Sequence, residues 1–343
     1  MQRIKLILTL LMFVSVFSCK DQEAAVTPQL EIKDIYVAGY QYDKNNNYMI
    51  ATYWKNGVAV ALTTGGKHSA VNGIAVYGND VYAAGWENGS GGQAATYWKN
   101  GTAVKLSDGT KDGYAHSIVV SGSDVYACGY EKNTSNILIA KYWKNGVAVN
   151  LSDGTKHTYA EDMVVVGSDV YIAGWETAGK NVAIYWKNGV RTTLTDGTNN
   201  AVARAITVSG SNVYVAGFEA KGIRNMAKYW KNDVATTLTD GTYEAQAEGI
   251  TVSGSDVYVT GREANDNKFV AKYWKNGEPV TLSDGKQTAT GMAVLTTGTD
   301  VYTAGYDSNP MRSIAQYWKN NVAVPLTDGT REAQAASIFI TYK

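Results

Sequence analysis

Residues 205–242 read AITVSGSNVYVAGFEAKGIRNMAKYWKNDVATTLTDGT, and this stretch decides the fold. Ala205-Ile206-Thr207-Val208 has the apolar and β-branched composition of a strand. Ser209-Gly210-Ser211-Asn212 is a tight turn, and Val213-Tyr214-Val215-Ala216-Gly217 is a second strand. A loop leads to a third strand, Ala227-Lys228-Tyr229-Trp230-Lys231. Asn232-Asp233 then makes a two-residue turn into a fourth strand over residues 234–238, and Asp240-Gly241-Thr242 links onward. The unit is therefore a four-stranded antiparallel meander, and no segment of the chain carries a persuasive helical period.

The unit recurs. Tyr-Trp-Lys-Asn stands at Trp54, Trp98, Trp143, Trp186, Trp230, Trp274 and Trp318, at spacings of 43 to 45 residues. A hydrophobic-Tyr strand keeps step with it at Ile35, Val81, Val125, Val170, Val213, Val257 and Val301. A period near 44 residues with four strands per period is the signature of a propeller blade. The third-to-fourth turn is Asn-Gly in five repeats, Asn232-Asp233 in one and Asn320-Asn321 in another. A type I′ hairpin needs positive φ at both positions, which Asn, Gly and Asp tolerate best. One Trp per blade reads as core packed between neighbouring blades, and the Lys after it as a solvated strand residue.

The ends supply an independent expectation. The chain reaches Ile35-Tyr36-Val37-Ala38-Gly39, a second-type strand, with no first-type strand before it. It finishes on Ser337-Ile338-Phe339-Ile340-Thr341, a first-type strand with nothing after it. Together they complete one blade, with Ile338 and Ile340 in one sheet with Ile35 and Val37. The predicted fold is all-β: a seven-bladed β-propeller over residues 34–343, four antiparallel strands per blade, closed by pairing of the C-terminal strand with the N-terminal strands. Closure leaves no open inner edge between the termini.

These units, with strands such as Asn212-Val213-Tyr214-Val215-Ala216-Gly217, resemble the bacterial β-propeller repeat family. The resemblance implies the architecture and not an activity, because propellers host unrelated functions. Before the repeats, Arg3 and Lys5 precede an apolar run over residues 6–17, too short to span a bilayer, so residues 1–18 read as a signal peptide. Val16-Phe17-Ser18-Cys19 resembles a lipobox, and Lys20-Asp21-Gln22-Glu23 is similar to the export tag of Bacteroidota surface lipoproteins. That resemblance implies acylation of Cys19, with residues 19–33 as a tether. Several acyl chains on one residue would hold the domain stably at the outer membrane, either surface-exposed or facing the periplasm.

The remaining composition excludes more than it assigns. Lys+Arg and Asp+Glu are equal at 31 each, and no basic run offers a nucleic-acid footprint. Two cysteines, Cys19 and Cys128, give no disulfide framework once Cys19 is acylated, and Cys128 reads as a small buried hydrophobe. With three histidines and no His/Cys cluster at ligand spacing, no metal or other cofactor is expected. There is also no G-x-S-x-G elbow, P-loop or dinucleotide fingerprint.

Recognition residues should vary from blade to blade at one level of the ring. One such ring follows the second strand: Tyr40, Trp86, Tyr130, Trp175, Phe218, Arg262 and Tyr306. The neighbouring Gln41, Glu87, Glu131, Glu176, Glu219, Glu263 and Asp307 are acidic in six repeats, which argues for a structural role. A third ring, two residues before the central apolar residue of each innermost strand, reads Asn72, His116, Glu161, Arg204, Glu248, Thr290 and Ala336. His116, Glu161, Arg204 and Glu248 fall on consecutive blades, and Trp86, Tyr130 and Trp175 would flank them as stacking platforms. Aromatic faces with carboxylates and a guanidinium suit a sugar or a peptide. The sequence thus favours an outer-membrane binding module for a glycan or a protein. It leaves open a polysaccharide hydrolase or lyase working through Glu161 and Glu248, and a structural role in an envelope complex.

Overall fold

The computed structural model describes residues 31–266 and 268–343. The signal peptide, Cys19 and most of the tether read from the sequence lie outside the described residues. Those described form twenty-eight strands in seven four-stranded sheets. Blade 1 is built from both ends of the chain, in the order β28 (Ala333–Tyr342), β1 (Ile32–Tyr42), β2 (Met49–Lys55), β3 (Val58–Ala61). Blades 2 to 7 are consecutive meanders over residues 69–105, 113–150, 158–193, 201–237, 245–281 and 289–325. Their innermost strands are β4 (Ser69–Tyr77), β8 (Gly113–Ser121), β12 (Thr158–Val166), β16 (Ala201–Ser209), β20 (Ala245–Ser253) and β24 (Ala289–Thr297). With β28 they surround the axis, each against the next. Among the described residues no helix is long and apolar enough to cross a membrane.

Closure follows the register expected from the ends. Ile35 pairs with Ile340 and Val37 with Ile338. Ile338 and Ile340 are buried with Trp54 of blade 1 against Tyr302, Ala304 and Ala315 of blade 7. The same arrangement recurs at every joint. Trp186 of blade 4 packs on Cys128 and Ala140 of blade 3, and Trp274 of blade 6 on Ala216 and Ala227 of blade 5. All seven repeat tryptophans are at most 1% exposed. Burying one such side chain contributes about 2–3 kcal/mol, so the joints are the core. The indole N–H groups of Trp54, Trp143 and Trp186 find no acceptor among the described residues. Each such lapse costs about 1–3 kcal/mol, tolerated because the indole fills the joint.

The outer hairpins are pinned by a repeated clamp. Asn56 and Gly57 have φ of 50° and 82°, and Asn232 and Asp233 46° and 69°, as a type I′ turn demands. The Asn56 side chain accepts from Ile35 N at 2.9 Å and donates to Asp34 Oδ1 at 2.7 Å. The Lys after each Trp is exposed, as its sequence reading expected, and also makes two contacts. Lys55 reaches Asp34 at 3.0 Å and lies over the Tyr36 ring at 5.2 Å, and Lys99, Lys144, Lys187, Lys275 and Lys319 repeat both contacts. Only blade 5 departs, with Asn212 where the others carry Asp, and there Lys231 keeps the Tyr214 ring alone.

Candidate ligand site at the channel mouth

Every innermost strand carries a β-bulge at the same level, where its register against the second strand slips by one residue. The extra residues are Asn72, His116, Glu161, Arg204, Glu248, Met292 and Ala336. A bulge re-aims a side chain, and here seven of them are turned toward one space. The cause lies across the ladder, in the second-strand Gly that follows an Ala, Thr or Cys in every blade. A Cβ on Gly174 would stand 1.9 Å from the Tyr159 carbonyl oxygen, and the other six second-strand glycines, from Gly39 to Gly305, face the same clash at 1.9–2.0 Å. Only glycine lets the bulged strand approach so closely.

The third ring read from the sequence is this ring of bulges, with one correction. In blade 7 the bulged residue is Met292, not Thr290, because the central apolar residue of β24 is Val294. Thr290 lies two residues earlier, is buried, and shares a 3.2 Å hydrogen bond with the Tyr306 hydroxyl. All seven bulged residues line one cavity of about 530 Å³, along with Asp162, Arg262, Gln246 and Thr290. The cavity is two-sided. His116, Glu161, Arg204, Glu248 and Arg262 make a charged wall, while Met292, Ala293, Val294 and Ala336 stand on blades 7 and 1, with Asn72 on blade 2.

The charged wall is a connected network centred on Glu161. Its Oε1 accepts from Trp175 Nε1 at 2.8 Å and from Arg204 Nη1 at 3.1 Å, and its Oε2 lies 3.7 Å from His116 Nδ1. Arg204 Nε stands 3.6 Å from Glu248 Oε2. Beyond it, Arg262 donates to Gln246 at 2.7 Å and lies over the Phe269 ring. Burial pulls the Glu161 carboxyl up, but Arg204, His116 and the Trp175 N–H together hold it below its usual value. Burial pushes Glu248 up, only partly opposed by Arg204 and Arg262. Burial also lowers His116, opposed by Glu161. Asp162 is raised by burial and accepts from Ile206 N of the next blade at 3.0 Å, which ties two innermost strands together.

Trp86, Tyr130 and Trp175 are not in the cavity wall but form a band beside it. Two residues that sequence reasoning passed over, Tyr114 and Tyr159, complete the band. Ring centroids run Trp86–Tyr114 5.7 Å, Tyr114–Tyr130 5.2 Å, Tyr130–Tyr159 5.0 Å and Tyr159–Trp175 3.8 Å, the last pair stacked at 11°. All five are part-exposed. The band joins the cavity at two points: His116, 5.3 Å from the Tyr130 ring, and the Trp175–Glu161 hydrogen bond. Tyr114 and Tyr159 pair across the ladder with Tyr130 and Trp175, a register that repeat spacing alone does not fix.

The acidic ring beside the second strand has the structural role its uniformity suggested. Glu87, Glu131, Glu219 and Glu263 pair with Lys105, Lys141, Lys228 and Lys272 of their own blades at 2.5–2.6 Å, and Glu176 with Arg191 at 3.1 Å. Among the described residues no group of three or more His, Cys, Asp or Glu is placed to hold a metal ion.

Fold and site together define the class: a seven-bladed β-propeller with a polar cavity at one mouth of its axial channel. The chain matches no protein-family model, and no curated protein matches it in sequence.

Proposed function

We propose that this protein is a glycan-binding lipoprotein of the bacterial outer membrane, anchored through Cys19 and recognising its ligand at the channel mouth. The observation that carries the reading is the junction of the Glu161–Arg204–Glu248 network with the aromatic band through Trp175. Sugars present apolar ring faces to aromatic side chains and hydroxyl edges to carboxylates and guanidinium groups, and both kinds of partner adjoin here. Binding is favoured over hydrolysis. The Glu161 and Glu248 carboxyls are pushed apart in acidity as an acid–base pair would be. Yet Glu161 already accepts from Trp175 and Arg204, which leaves it poorly placed to activate water.

The test is a glycan and polysaccharide array probed with the full chain and with a Glu161→Ala, Arg204→Ala double variant. Both partners of the ion pair leave together, so neither stays buried and unpaired. Hits on the wild type that vanish in the variant support the site. Hits that persist unchanged place the ligand elsewhere. Anchoring is read separately, by incorporation of an alkyne-tagged fatty acid that Cys19→Ser abolishes.

A further inference from the structure

The channel narrows below the cavity at Phe339. Phe339 lies on β28 between Ile338 and Ile340, which face blade 7, so strand alternation turns it to the opposite face, toward blade 2. It packs against the joint of blades 1 and 2 and also against that of blades 2 and 3, beyond β4. Ala75, a small side chain in the second of these clusters, leaves it room. The cavity wall reaches down to Ile250 and Val294, at the level of Ile338, one residue above Phe339. The bulky Phe339 ring thus stands one level below the cavity, where β4 carries only Ala75, and favours entry from the bulged end of the strands.

The charge count narrows the ligand further. The wall carries three carboxyls, Glu161, Asp162 and Glu248, against two guanidiniums, Arg204 and Arg262. There is no surplus of positive charge to repay the desolvation of an anionic sugar. The aromatic band from Trp175 to Trp86 leaves the cavity along blades 4, 3 and 2.

We infer that the site recognises the terminal residue of an uncharged glycan, which inserts end-on into the cavity while the following units lie on the band from Trp175 toward Trp86. This rests on the glycan reading above. The test prints neutral oligosaccharides of increasing length in two orientations, attached through the reducing or the non-reducing end, beside uronate-containing and sulfated glycans. The full wild-type chain is expected to bind neutral glycans in one orientation at least roughly tenfold more tightly than in the other, about 1.4 kcal/mol. Ala336→Trp, which fills the cavity, should abolish binding at every length. Trp86→Ala should remove only the gain that longer chains bring. Equal binding in both orientations would overturn end-on recognition and leave the glycan reading standing. Binding confined to acidic glycans would overturn the charge argument. Binding to no glycan at all would overturn both readings. The orientation comparison needs no variant, so a variant that fails to fold does not blunt it.

Discussion

Replacing Ile338 and Ile340 together by alanine should nearly unfold the ring. Both side chains are under 9% exposed and lie in the joint between blades 1 and 7 with Trp54, Val37 and Tyr302. A buried Ile→Ala change costs about 2–5 kcal/mol, lost transfer energy plus the cavity left behind. The two sites share one cluster, so their costs will not simply add, and a joint loss of about 4–8 kcal/mol is expected. Net stability of a folded domain is only about 5–15 kcal/mol, so the variant should sit close to its unfolding midpoint in water. The assay is equilibrium urea unfolding followed by tryptophan fluorescence, which reports all seven joints. The control is Val58→Ala with Val322→Ala, two side chains 68% exposed, where a change within about 0.5 kcal/mol is expected. If the isoleucine pair cost no more than the valine pair, the closure would not be what holds the ring.

Other outcomes follow from the same geometry. Gly174→Ala should destabilise by about 1–3 kcal/mol or more, because its Cβ would meet the Tyr159 carbonyl at 1.9 Å, and glycan binding should fall with it as the Glu161 bulge is displaced; unchanged melting and binding would contradict the bulge argument. His116 is depressed when folded, so the unfolded chain binds its proton more tightly. Its contribution should be fully present above about pH 6.5 and lost as the pH falls through that value toward the lower folded pKa, with His116→Gln flattening that part of a stability–pH curve. Glu248 has the opposite sign: its folded pKa is raised, so stability is greatest below about pH 4.5 and declines as the pH rises through the folded value. Glu248→Gln should therefore melt higher than wild type at pH 7. Asn212→Asp would give blade 5 the acid that pairs with the strand-three Lys elsewhere, a gain of about 0–1 kcal/mol in thermal unfolding, as befits an exposed pair.

Much of this was legible in the chain. The Tyr-Trp-Lys-Asn repeat, the Asn-Gly turns and the split blade at the termini are local patterns, and the register of Ile338 with Val37 followed from them. The bulges were not, because an extra residue in one strand shows only against its partner. A signal was nevertheless present: Gly39, Gly85, Gly129, Gly174, Gly217, Gly261 and Gly305 recur at one position of the second strand in every repeat, where a side chain would collide with the bulged strand. Missing it shifted the blade 7 member of the ring from Met292 to Thr290. The Lys–Asp clamps escaped for a similar reason, since Lys99 and Asp80 lie nineteen positions apart and meet only across a hairpin. His116, Glu161, Arg204 and Glu248 emerged as a set because they break the repeat at one level. How they connect, with Trp175 on Glu161 and Arg204 between two carboxyls, is set by packing between blades that the repeat does not reveal.

The most direct test of the central claim is a crystal structure of the full chain grown with the tightest-binding neutral oligosaccharide from the array. The account expects the terminal sugar within hydrogen-bonding distance of Arg204 and Glu248, above Phe339, with the next unit against Trp175 or Tyr130. A sugar bound on the outer strands or on the opposite face of the ring, with the cavity holding only water, would contradict it.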